Sequence, residues 1–357
     1  MSPANLAISR MGFRPSGSPV HRPTISDIAA RAGVSKAAVS YALNGRPGVS
    51  PATQARVVAI AAELGWTANN AARVLSGARA GVVGLVLARP ARTLGLEPFF
   101  MAFISGLEQE LSARDIALLL QLVPDQAAGL ATCARWQGAR QVDGAIVVDL
   151  LDDDERITPL QEMGLPFVVV GDARDRPGVA CVWTDEVAGM TQIVEYLAAL
   201  GHRRIGRVAG LERLRHTVQR TQAFHAAAER LGLEEVMQQS DYSGEDSTRA
   251  TRRLLSHRDP PTAIVYDNDV MAVAGLSVAT EMGIDVPRQL SVVSWDDSPL
   301  CRLTHPAITA LAHDVMAYGA HTARRLLEVV DGAPARAHLD SAHTLVPRGS
   351  TSPPRRG

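Results

Sequence analysis

Apolar residues follow two different spacings in this chain, and the change from one to the other divides it in two. Residues 24–64 carry apolar positions three and four apart in three short stretches, which is the spacing of amphipathic helices. From residue 81 onward, short continuous apolar runs alternate with stretches of helical spacing. The pattern predicts a small all-α unit followed by a larger α/β unit.

The first helix of the small unit is predicted to begin after Thr24. A threonine at this place can cap a helix, and Asp27 stands where a capping box needs an acceptor. Ile25, Ile28 and Ala29 then give the helix one apolar face.

A tight turn over residues 32–34 is predicted to lead into a second helix. Gly33 allows the left-handed backbone that a sharp reversal needs, and Ser35 can cap the helix that follows. The inward face of this helix is predicted to be Val39, Ala42 and Leu43. Its outward residues near the N-terminal end are Lys36, Ala37, Ala38, Ser40 and Tyr41. In a helix-turn-helix, such outward residues contact base edges and phosphates of DNA.

A third helix completes the small unit. Ser50 followed by Pro51 is a cap with proline at the first helical position, and Gly65 is expected to stop the helix after about Leu64. Three short helices of this kind predict a compact DNA-binding headpiece over residues 23–67.

The larger unit reads as repeated βα pairs. Strands are predicted at 82–87, 117–121, 145–148, 167–170, 205–209, 263–266 and 291–294, with the last closing the series. Helices are predicted at 99–113 and 185–200. Repeated βα pairs imply parallel sheets covered by helices, and two such stretches predict two similar subdomains with a cleft between them. In sheets of this type, ligands lie beyond the carboxyl ends of the strands.

Charge is distributed unevenly between the two parts. The whole chain has a net charge of −1, but residues 1–80 contain nine basic and two acidic residues. The remainder contains 27 basic and 35 acidic residues. A basic first part favours binding to nucleic acid phosphates, and an acidic second part favours solubility. Lys36, on the predicted recognition helix, is the only lysine in the chain.

The chain has three widely spaced cysteines, Cys133, Cys181 and Cys301. Their spacing is not that of metal ligands, and their odd number argues against a disulfide framework. They are expected to be reduced core residues. No run approaches the ~20 apolar residues of a membrane helix, and the Ser-, Pro- and Gly-rich tail 1–22 lacks the apolar stretch of a signal peptide. We therefore expect a disordered tail and a cytoplasmic protein with no membrane contact.

The stretch from Thr24 to Gly45, TISDIAARAGVSKAAVSYALNG, resembles the N-terminus of the lactose/galactose-repressor (LacI/GalR-type) family of bacterial transcription regulators. Weaker matches continue in order to about Ser352. These are LGHRRI at 200–205, PTAI with Asn268-Asp269, PRQLSVVSWDD at 287–297 and LVPRGST at 345–351.

The resemblance implies a headpiece at 23–67, a hinge helix or linker at 68–80 and a periplasmic-binding-protein-like core at 81–350. Its N-subdomain would be 81–182 plus 313–338 and its C-subdomain 183–312 plus 339–350, with a flexible tail at 351–357. The family commonly has proline where this chain has Ala68, so the hinge is expected to be entered more loosely.

The DNA contacts are expected on the first two helices and the hinge. By the helix pattern and the resemblance together they are Thr24, Ser35, Lys36, Ala37, Ala38, Ser40, Tyr41, Asn44, Arg73 and Leu75. The resemblance implies that Leu75 wedges into the minor groove, with Arg73 near phosphates. An ordinary interdomain linker is the alternative for the hinge.

The residues for a small-molecule effector follow from the resemblance. They are Phe99, Phe100, Trp183, Arg220, Tyr242, Asn268, Asp296 and His313. A guanidinium can clamp hydroxyls or a carboxylate, and aromatic faces can stack on a sugar or base ring. The alternatives are helix caps for Asn268 and Asp296, plain core for Trp183 and Trp295, and a surface ion pair for Arg220.

The sequence thus predicts a homodimeric, effector-responsive repressor of a catabolic operon that binds a pseudo-palindromic operator in double-stranded DNA. A sugar-like effector is favoured, and a tetramer is left open. The resemblance also implies that the protein is associated with the bacterial nucleoid. The alternatives are an activator, or a co-repressor-dependent regulator of the purine or nucleoside type. No catalytic, cofactor or metal motif is present, and the acidic run 152–155 reads as a solvated loop.

Overall fold

The computed structural model describes residues 23–43, 45–66, 79–89, 95 and 97–355. The chain divides into two compact units, Met1–Gly77 and Ala78–Gly357. The predicted tail 1–22, Asn44 and nearly all of the predicted hinge, including Arg73 and Leu75, lie outside the described residues.

The first unit has three short helices where the apolar spacing predicts them. They are α1 (Ile25–Ala32), α2 (Lys36–Leu43) and α3 (Pro51–Glu63). The predicted capping box is confirmed, because the Asp27 carboxylate accepts from the Thr24 backbone N–H at 2.7 Å and the Thr24 hydroxyl accepts from the Asp27 N–H. Gly33 adopts φ +67°, as the turn requires. Ser50 caps α3 with Pro51 at its first position.

A small apolar core holds the three helices together. Its fully or nearly fully buried members come from all three helices: Ile28, Ala29, Ala32, Val39, Ala42, Val57 and Ala61. Four of the seven are alanine, so the helices pack at short distances and leave the outer face of α2 to its remaining side chains.

The first sheet of the second unit is entirely parallel. Its strands are β1 (Val82–Leu87), β2 (Ala117–Leu122), β3 (Gly144–Val147), β4 (Phe167–Val170), β5 (Ala180–Trp183) and β11 (Ala337–Leu339). They lie in the order β11-β5-β4-β3-β1-β2. Strands β1, β3 and β4 are continuous apolar runs because both faces of the sheet are covered.

The second sheet repeats this arrangement with one antiparallel edge. Its strands are β6 (Arg204–Ala209), β7 (Glu234–Gln239), β8 (Ala263–Tyr266), β9 (Ser291–Ser294), β10 (Thr309–Ala312) and β12 (Thr344–Val346). Their order is β12-β10-β9-β8-β6-β7, and only β12 runs antiparallel to its neighbour. The two parallel α/β sheets confirm the predicted fold class.

The prediction that strand 291–294 closes the series was wrong, because β10 continues the sheet beyond it. Strands β5 and β7 were also not predicted. Strand β7 lies at the edge of its sheet and has the sequence EEVMQQ, so it lacks the apolar run that marks a strand buried on both faces.

Helices cover the sheets. They are α4 (Pro98–Ser112), α5 (Gln126–Gly138), α6 (Ile157–Glu162), α7 (Glu186–Ala199), α8 (Arg215–Leu231), α9 (Gly244–Leu255), α10 (Asp269–Glu281), α11 (Pro299–Leu303) and α12 (Val315–Val330). None of the helices in the described part of the chain is long and apolar enough to cross a membrane.

Helices α4 and α12 touch through two glycines. A Cβ on Gly106 would lie 1.9 Å from the Met316 carbonyl oxygen, and one on Gly319 would lie 2.2 Å from the Phe103 oxygen. The two helix backbones are therefore in direct contact. This fixes α12, which follows β10 of the second sheet, against the first sheet.

The chain passes between the sheets three times, and we call these the crossing segments: 184–185 after β5, 313–314 after β10 and 340–343 after β11. All three lie side by side, since the Asp340 N–H donates to the Trp183 carbonyl at 2.9 Å and the His313 ring bonds the Asp340 carboxylate.

Two smaller expectations fail in the second unit. The tail from residue 351 is not free, because the Thr351 hydroxyl bonds Tyr196 at 2.7 Å and the Ser352 N–H donates to Ser291. Nor is the acidic run 152–155 wholly solvated. Asp154 is buried and accepts from Arg156, which satisfies its charge. The three cysteines are free and buried, as expected.

Candidate functional site

The outer face of α2 presents the residues predicted to contact DNA. Lys36, Ala37 and Tyr41 are exposed, and Ser40 is half-buried beside them. Because positions four apart lie on the same side of a helix, these four side chains form one face. Ala38 is half-buried at the edge of the headpiece core, so it contributes less surface.

Two predicted DNA contacts also have structural roles. The Ser35 hydroxyl accepts from the Ala38 N–H at 3.1 Å, which caps α2. The Thr24 hydroxyl donates to Asp27 at 2.8 Å within the capping box of α1. Both residues lie at helix N-termini, where backbone N–H groups and the helix dipole favour phosphate.

A cavity in the second unit lies at the carboxyl ends of the strands of both sheets. The residues directly after β3, β4, β8 and β9 line it, and all three crossing segments contribute. The lining consists of Arg89, Glu97, Pro98, Phe99, Phe100, Val148, Asp149, Val170, Gly171, Thr184, Glu186, His216, Arg220, Tyr242, Asp267, Asn268, Asp269, Trp295, Asp296, His313, Tyr318 and His343.

The cavity is large enough for a small molecule. Its cavity volume is about 130 Å³, counted as the space that the centre of a water molecule can occupy. Since one water needs ~10–15 Å³ by this measure, the space corresponds to roughly ten water positions. That is on the order of the non-hydrogen atoms of one sugar ring.

Arg220 lies on the buried face of α8 and is held from three sides. Its Nε donates to Glu186 at 2.6 Å and its Nη1 to the Asp267 carbonyl at 3.3 Å. The guanidinium carbon lies 3.8 Å from the centre of the Trp295 ring. Within the described residues Nη2 has no protein partner, so this nitrogen is available to a ligand. Arg220 is therefore not a surface ion pair.

Glu186, which sequence reasoning missed, fixes Arg220. It is the first residue of α7, and its other oxygen accepts from the Thr184 hydroxyl at 2.6 Å. Burial acts against its charge, but the charge of Arg220, together with His216, His343 and the Thr184 hydrogen bond, outweighs burial and holds the pKa of Glu186 below its ordinary value. The carboxylate stays ionised and paired.

Arg89, also missed, forms the opposite wall. It donates twice to Asp149, both at 2.8 Å, and its Nη1 donates to both oxygens of Glu97, at 3.1 and 3.3 Å. Its guanidinium lies 5.2 Å from the ring centres of Phe100 and Tyr242. Every nitrogen of Arg89 is thus bonded within the protein, and its charge is neutralised before any ligand binds.

The two carboxyl groups that Arg89 contacts differ in their pKa. Burial raises the pKa of Glu97 to about 7, although the charge of Arg89 opposes the change. Burial also acts against the charge of Asp149, but the charge and hydrogen bonds of Arg89 hold its pKa below the ordinary value. Asp149 is therefore the ionised partner.

A third buried pair supports the floor of the cavity. Arg207 of β6 donates to both oxygens of Asp267, at 2.9 and 2.8 Å, and both side chains are fully buried. The Gly210 N–H donates to the same carboxylate at 2.9 Å. Asp267 lines the cavity, but its oxygens are already occupied, so its role is to hold Arg207 and present its carbonyl to Arg220.

Asn268 and Asp296 follow β8 and β9, as predicted. The Asn268 oxygen accepts from the Met271 N–H at 2.8 Å and caps α10, so the expected alternative of a cap is confirmed and only its NH₂ group is left for a ligand. The Asp296 carboxyl has no partner among the described residues. Burial and the neighbouring charge of Asp269 raise its pKa well above the ordinary value, which favours a protonated acid that can donate a hydrogen bond.

Tyr242 supplies a fixed aromatic wall. Its hydroxyl bonds His216 at 2.8 Å and Thr217 at 2.9 Å, so the ring face and not the hydroxyl is offered to a ligand. A Cβ on Gly210 would lie 1.9 Å from the ring, which explains the glycine there. Burial and the charge of Arg220 lower the pKa of His216 to about 4, so this imidazole is neutral.

Phe99, Phe100 and His313 line the cavity, as predicted. Trp183, in contrast to the prediction, does not. It is the last residue of β5, and Arg174 covers its ring at 3.6 Å. The aromatic residue that lines the cavity beside Arg220 is Trp295. Adjacent residues of a strand point to opposite faces, so the end of a strand does not by itself tell which side chain faces a cleft.

The residues missed from the sequence include Arg89, Glu97, Asp149, Glu186 and Asp267. One signal could have found two of them, because Asp149 and Asp267 directly follow apolar strand runs, just as Asp296 follows β9. Glu97 and Arg89 have no such local mark. They become site residues only through the pairing of β1 with β3.

The cavity wall is acidic in composition. Two arginines face six carboxyl groups: Glu97, Asp149, Glu186, Asp267, Asp269 and Asp296. Arg89 and Arg207 are fully paired and Arg220 is partly paired. Such a wall offers many hydrogen-bond acceptors, a few donors and no surplus of positive charge.

Comparison with protein families matches both parts of the chain. The family described as "Bacterial regulatory proteins, lacI family" matches residues 24–69. The "Periplasmic binding protein-like domain" matches residues 194–351.

Similar proteins span nearly the same length. The chain is 35% identical over 343 residues to the HTH-type transcriptional regulator reg1 of Streptomyces lividans, covering 92% of this chain and 96% of that protein. It is 30% identical over 321 residues to the HTH-type transcriptional regulator CelR of Thermobifida fusca, covering 87% and 93%.

Two solved structures are informative. A complex of the transcriptional regulator CelR with cellobiose is similar with a TM-score of 0.71 and 29% identity, over 92% of this chain and 100% of that one. The lac repressor dimer bound to operator and the anti-inducer ONPF is similar with a TM-score of 0.83 and 25% identity, over 93% and 99%.

Proposed function

Because the chain belongs to the lacI family of bacterial regulatory proteins, and is thus a DNA-binding transcription regulator, we propose that it represses a sugar-utilisation operon and is controlled by a neutral sugar. The headpiece is residues 23–67, the hinge is 68–80 and the effector-binding core is 81–350. The regulator acts as a homodimer on a pseudo-palindromic operator, since one two-fold axis then relates both the protein and its site.

The observation that carries the proposal is the chemistry of the cavity. Arg220 Nη2, the Asn268 NH₂ group and the Asp296 carboxyl converge there with oxygens left over as acceptors. The aromatic rings of Phe99, Phe100 and Tyr242 provide apolar walls, and the Trp295 ring stacks on the Arg220 guanidinium. A sugar ring has two flat faces that can pack against these walls. The hydroxyl groups at its edge can both donate and accept hydrogen bonds.

The same wall disfavours anions. A phosphate or carboxylate placed here would meet carboxylates whose counter-charges are already engaged by the protein. Leaving a buried charge unpaired costs several kcal/mol, whereas a neutral hydroxyl pays no such penalty. The effector is therefore an unphosphorylated sugar. The complex of the similar CelR with cellobiose supports this class of ligand.

Control of DNA binding requires that the sugar prefers one arrangement of the subdomains. A difference in affinity of ~1–3 kcal/mol between two states changes operator affinity by about 5–150-fold. We propose that sugar binding favours the state with the lower operator affinity, so that the sugar acts as an inducer.

In the headpiece, the outer face of α2 enters the major groove. Lys36 supplies a phosphate or base contact, and Ala37 offers its methyl group. Since the side chain of alanine cannot form a hydrogen bond with a base, DNA shape contributes to the choice of operator. Arg73 and Leu75 of the hinge add minor-groove contacts by analogy with the family.

Calorimetric titration tests the ligand class. Cellobiose and glucose are compared with glucose 6-phosphate, and adenosine and cytidine represent the nucleoside alternative. We expect heat and saturation with a neutral sugar only. Binding of glucose 6-phosphate in preference to glucose would contradict the reading of the wall.

A variant pair ties binding to the cavity. Arg220→Ala removes the guanidinium from the wall, and Arg230→Ala removes an exposed arginine on the same helix that pairs with Glu195. The operator is first selected from random DNA. The sugar should then still release the operator from the Arg230→Ala variant but no longer from the Arg220→Ala variant. Loss in both variants would show that the effect is not specific to the cavity. Transcript levels in a deletion strain separate repressor from activator.

A further inference from the structure

Asp340 joins all three crossing segments. Its backbone N–H donates to the carbonyl of Trp183, beside the first segment, at 2.9 Å. Its Oδ2 accepts from Nε2 of His313, in the second segment, at 2.9 Å. Its Oδ1 accepts from Nδ1 of His321, on α12, at 2.6 Å. One residue of the third segment thus bonds the strand end that leads into the first segment, the second segment itself and a helix of the first subdomain.

The carboxylate is almost fully enclosed by its partners. The side chains of Asp340 and His313 are 7% and 8% exposed, and that of His321 is 19% exposed. Burial acts against the charge, but hydrogen bonds from the two imidazoles outweigh it and hold the pKa of Asp340 far below its ordinary value. The group is therefore ionised at any physiological pH.

An ionised carboxylate only accepts hydrogen bonds, so each bonded imidazole nitrogen must carry the hydrogen. His313 accordingly has its hydrogen on Nε2 and His321 has it on Nδ1. In a neutral imidazole the other nitrogen is then an acceptor. For His313 this acceptor is Nδ1.

Nδ1 of His313 is placed to meet a ligand. His313 lines the cavity, whereas Asp340 does not. Among the described residues Nδ1 has no hydrogen-bond partner. The ring is held between Tyr318 and His343, each 5.2 Å away between ring centres, and the Tyr318 hydroxyl is itself fixed by the Val182 carbonyl at 2.9 Å.

We propose that Asp340 is a positioning residue of the effector site, which holds His313 with Nδ1 as an acceptor for a ligand hydroxyl and ties that acceptor to the crossing segments. Only the identity of the ligand rests on the proposed function. The arrangement of hydrogens rests on the contacts of Asp340.

Histidine-selective ¹⁵N NMR of the full chain at about pH 8, where imidazoles are largely neutral, tests the arrangement without a ligand. Among the protected imidazole N–H resonances we expect one from Nε2 of His313 and one from Nδ1 of His321, assigned by their loss in His313→Gln and His321→Gln. Asp340→Ala should remove both. Asp340→Asn, which keeps the size of the side chain, has one acceptor oxygen and should keep at most one.

Ser341→Ala is the matched control. The Ser341 hydroxyl donates to the same carboxylate at 3.3 Å but is exposed and joins no other segment. Both resonances should survive this change. Their absence from the wild-type protein, or their survival in both Asp340 variants, overturns the proposal whatever the ligand.

Calorimetry with cellobiose distinguishes positioning from a general structural role. His313→Ala should weaken binding about three- to tenfold, the value of one hydrogen bond, and Asp340→Ala should do the same. If Asp340 acts through His313, the double variant binds as weakly as His313→Ala alone. Additive losses overturn the proposal. Failure of the wild-type protein to bind either cellobiose or glucose counts against the proposed sugar class and leaves the NMR result to decide the role of Asp340.

Discussion

Removing Arg220 should make the stability of the protein depend on pH in a new way. In the wild-type protein Arg220 donates to buried Glu186 at 2.6 Å. The folded pKa of Glu186 is lowered, so its contribution to stability is present above the unfolded pKa of ~4.3 and is lost as pH falls through the folded pKa. In Arg220→Ala burial remains but the opposing charge is gone, so the pKa of Glu186 rises above its unfolded value.

The magnitude follows from this change of sign. Breaking a buried pair by removing one partner costs about 3–5 kcal/mol when the other stays charged. At low pH Glu186 of the variant is protonated and avoids most of this cost. Each pH unit over which it ionises adds ~1.4 kcal/mol, so the gap between wild-type and variant should widen by up to ~3 kcal/mol between about pH 5.0 and pH 7.5.

Urea unfolding followed by circular dichroism at the two pH values measures this gap. The control is the double variant Glu186→Gln/Arg220→Ala, in which no carboxyl group titrates at this position. Its difference in stability from the single variant Glu186→Gln should change much less with pH, because only neighbours of Arg220 such as His216 still titrate. Parallel pH curves for the wild-type protein and Arg220→Ala would refute the account of the Glu186–Arg220 pair.

Further changes test other parts of the molecule. Gly106→Ala should prevent the contact of α4 with α12 and lower the melting temperature strongly, whereas Gly138→Ala, where a Cβ meets nothing within 4 Å, should leave it unchanged or raise it. Trp295→Ala should abolish the sugar titration in calorimetry and Trp183→Ala should leave it, because only the former lines the cavity; the reverse result would show that the cavity is not the effector site. Lys36→Ala should reduce the slope of log K against log salt for DNA binding by about one, measured by fluorescence anisotropy; an unchanged slope would place Lys36 away from phosphate.

Where the sequence predicts structure well, the determining interactions are local. The capping box of Thr24 with Asp27, the left-handed Gly33 and the Ser50-Pro51 start all act within one turn of a helix. The apolar runs that became β1 and β4 are recognisable because a strand buried on both faces must be apolar throughout. Strand β7 escaped notice because an edge strand is free of that requirement.

The candidate cavity shows the same division. Arg220, Asn268 and Asp296 are reached from motifs and from their position after a strand. Arg89 and Glu186 are not, although they form its walls with Asp149 and Arg220.

The sequence by itself therefore determined the helix-turn-helix headpiece, the two α/β halves and the family, since periodicity, caps and motifs are read over a few neighbouring residues. Only the tertiary structure decided which charges meet. Arg89 and Asp149 lie 60 residues apart in the sequence, and Asp340 lies 27 residues from His313. The members of each pair come into contact only because the strand order and the three crossing segments bring them together. Such contacts depend on the packing of whole elements, which no local pattern encodes.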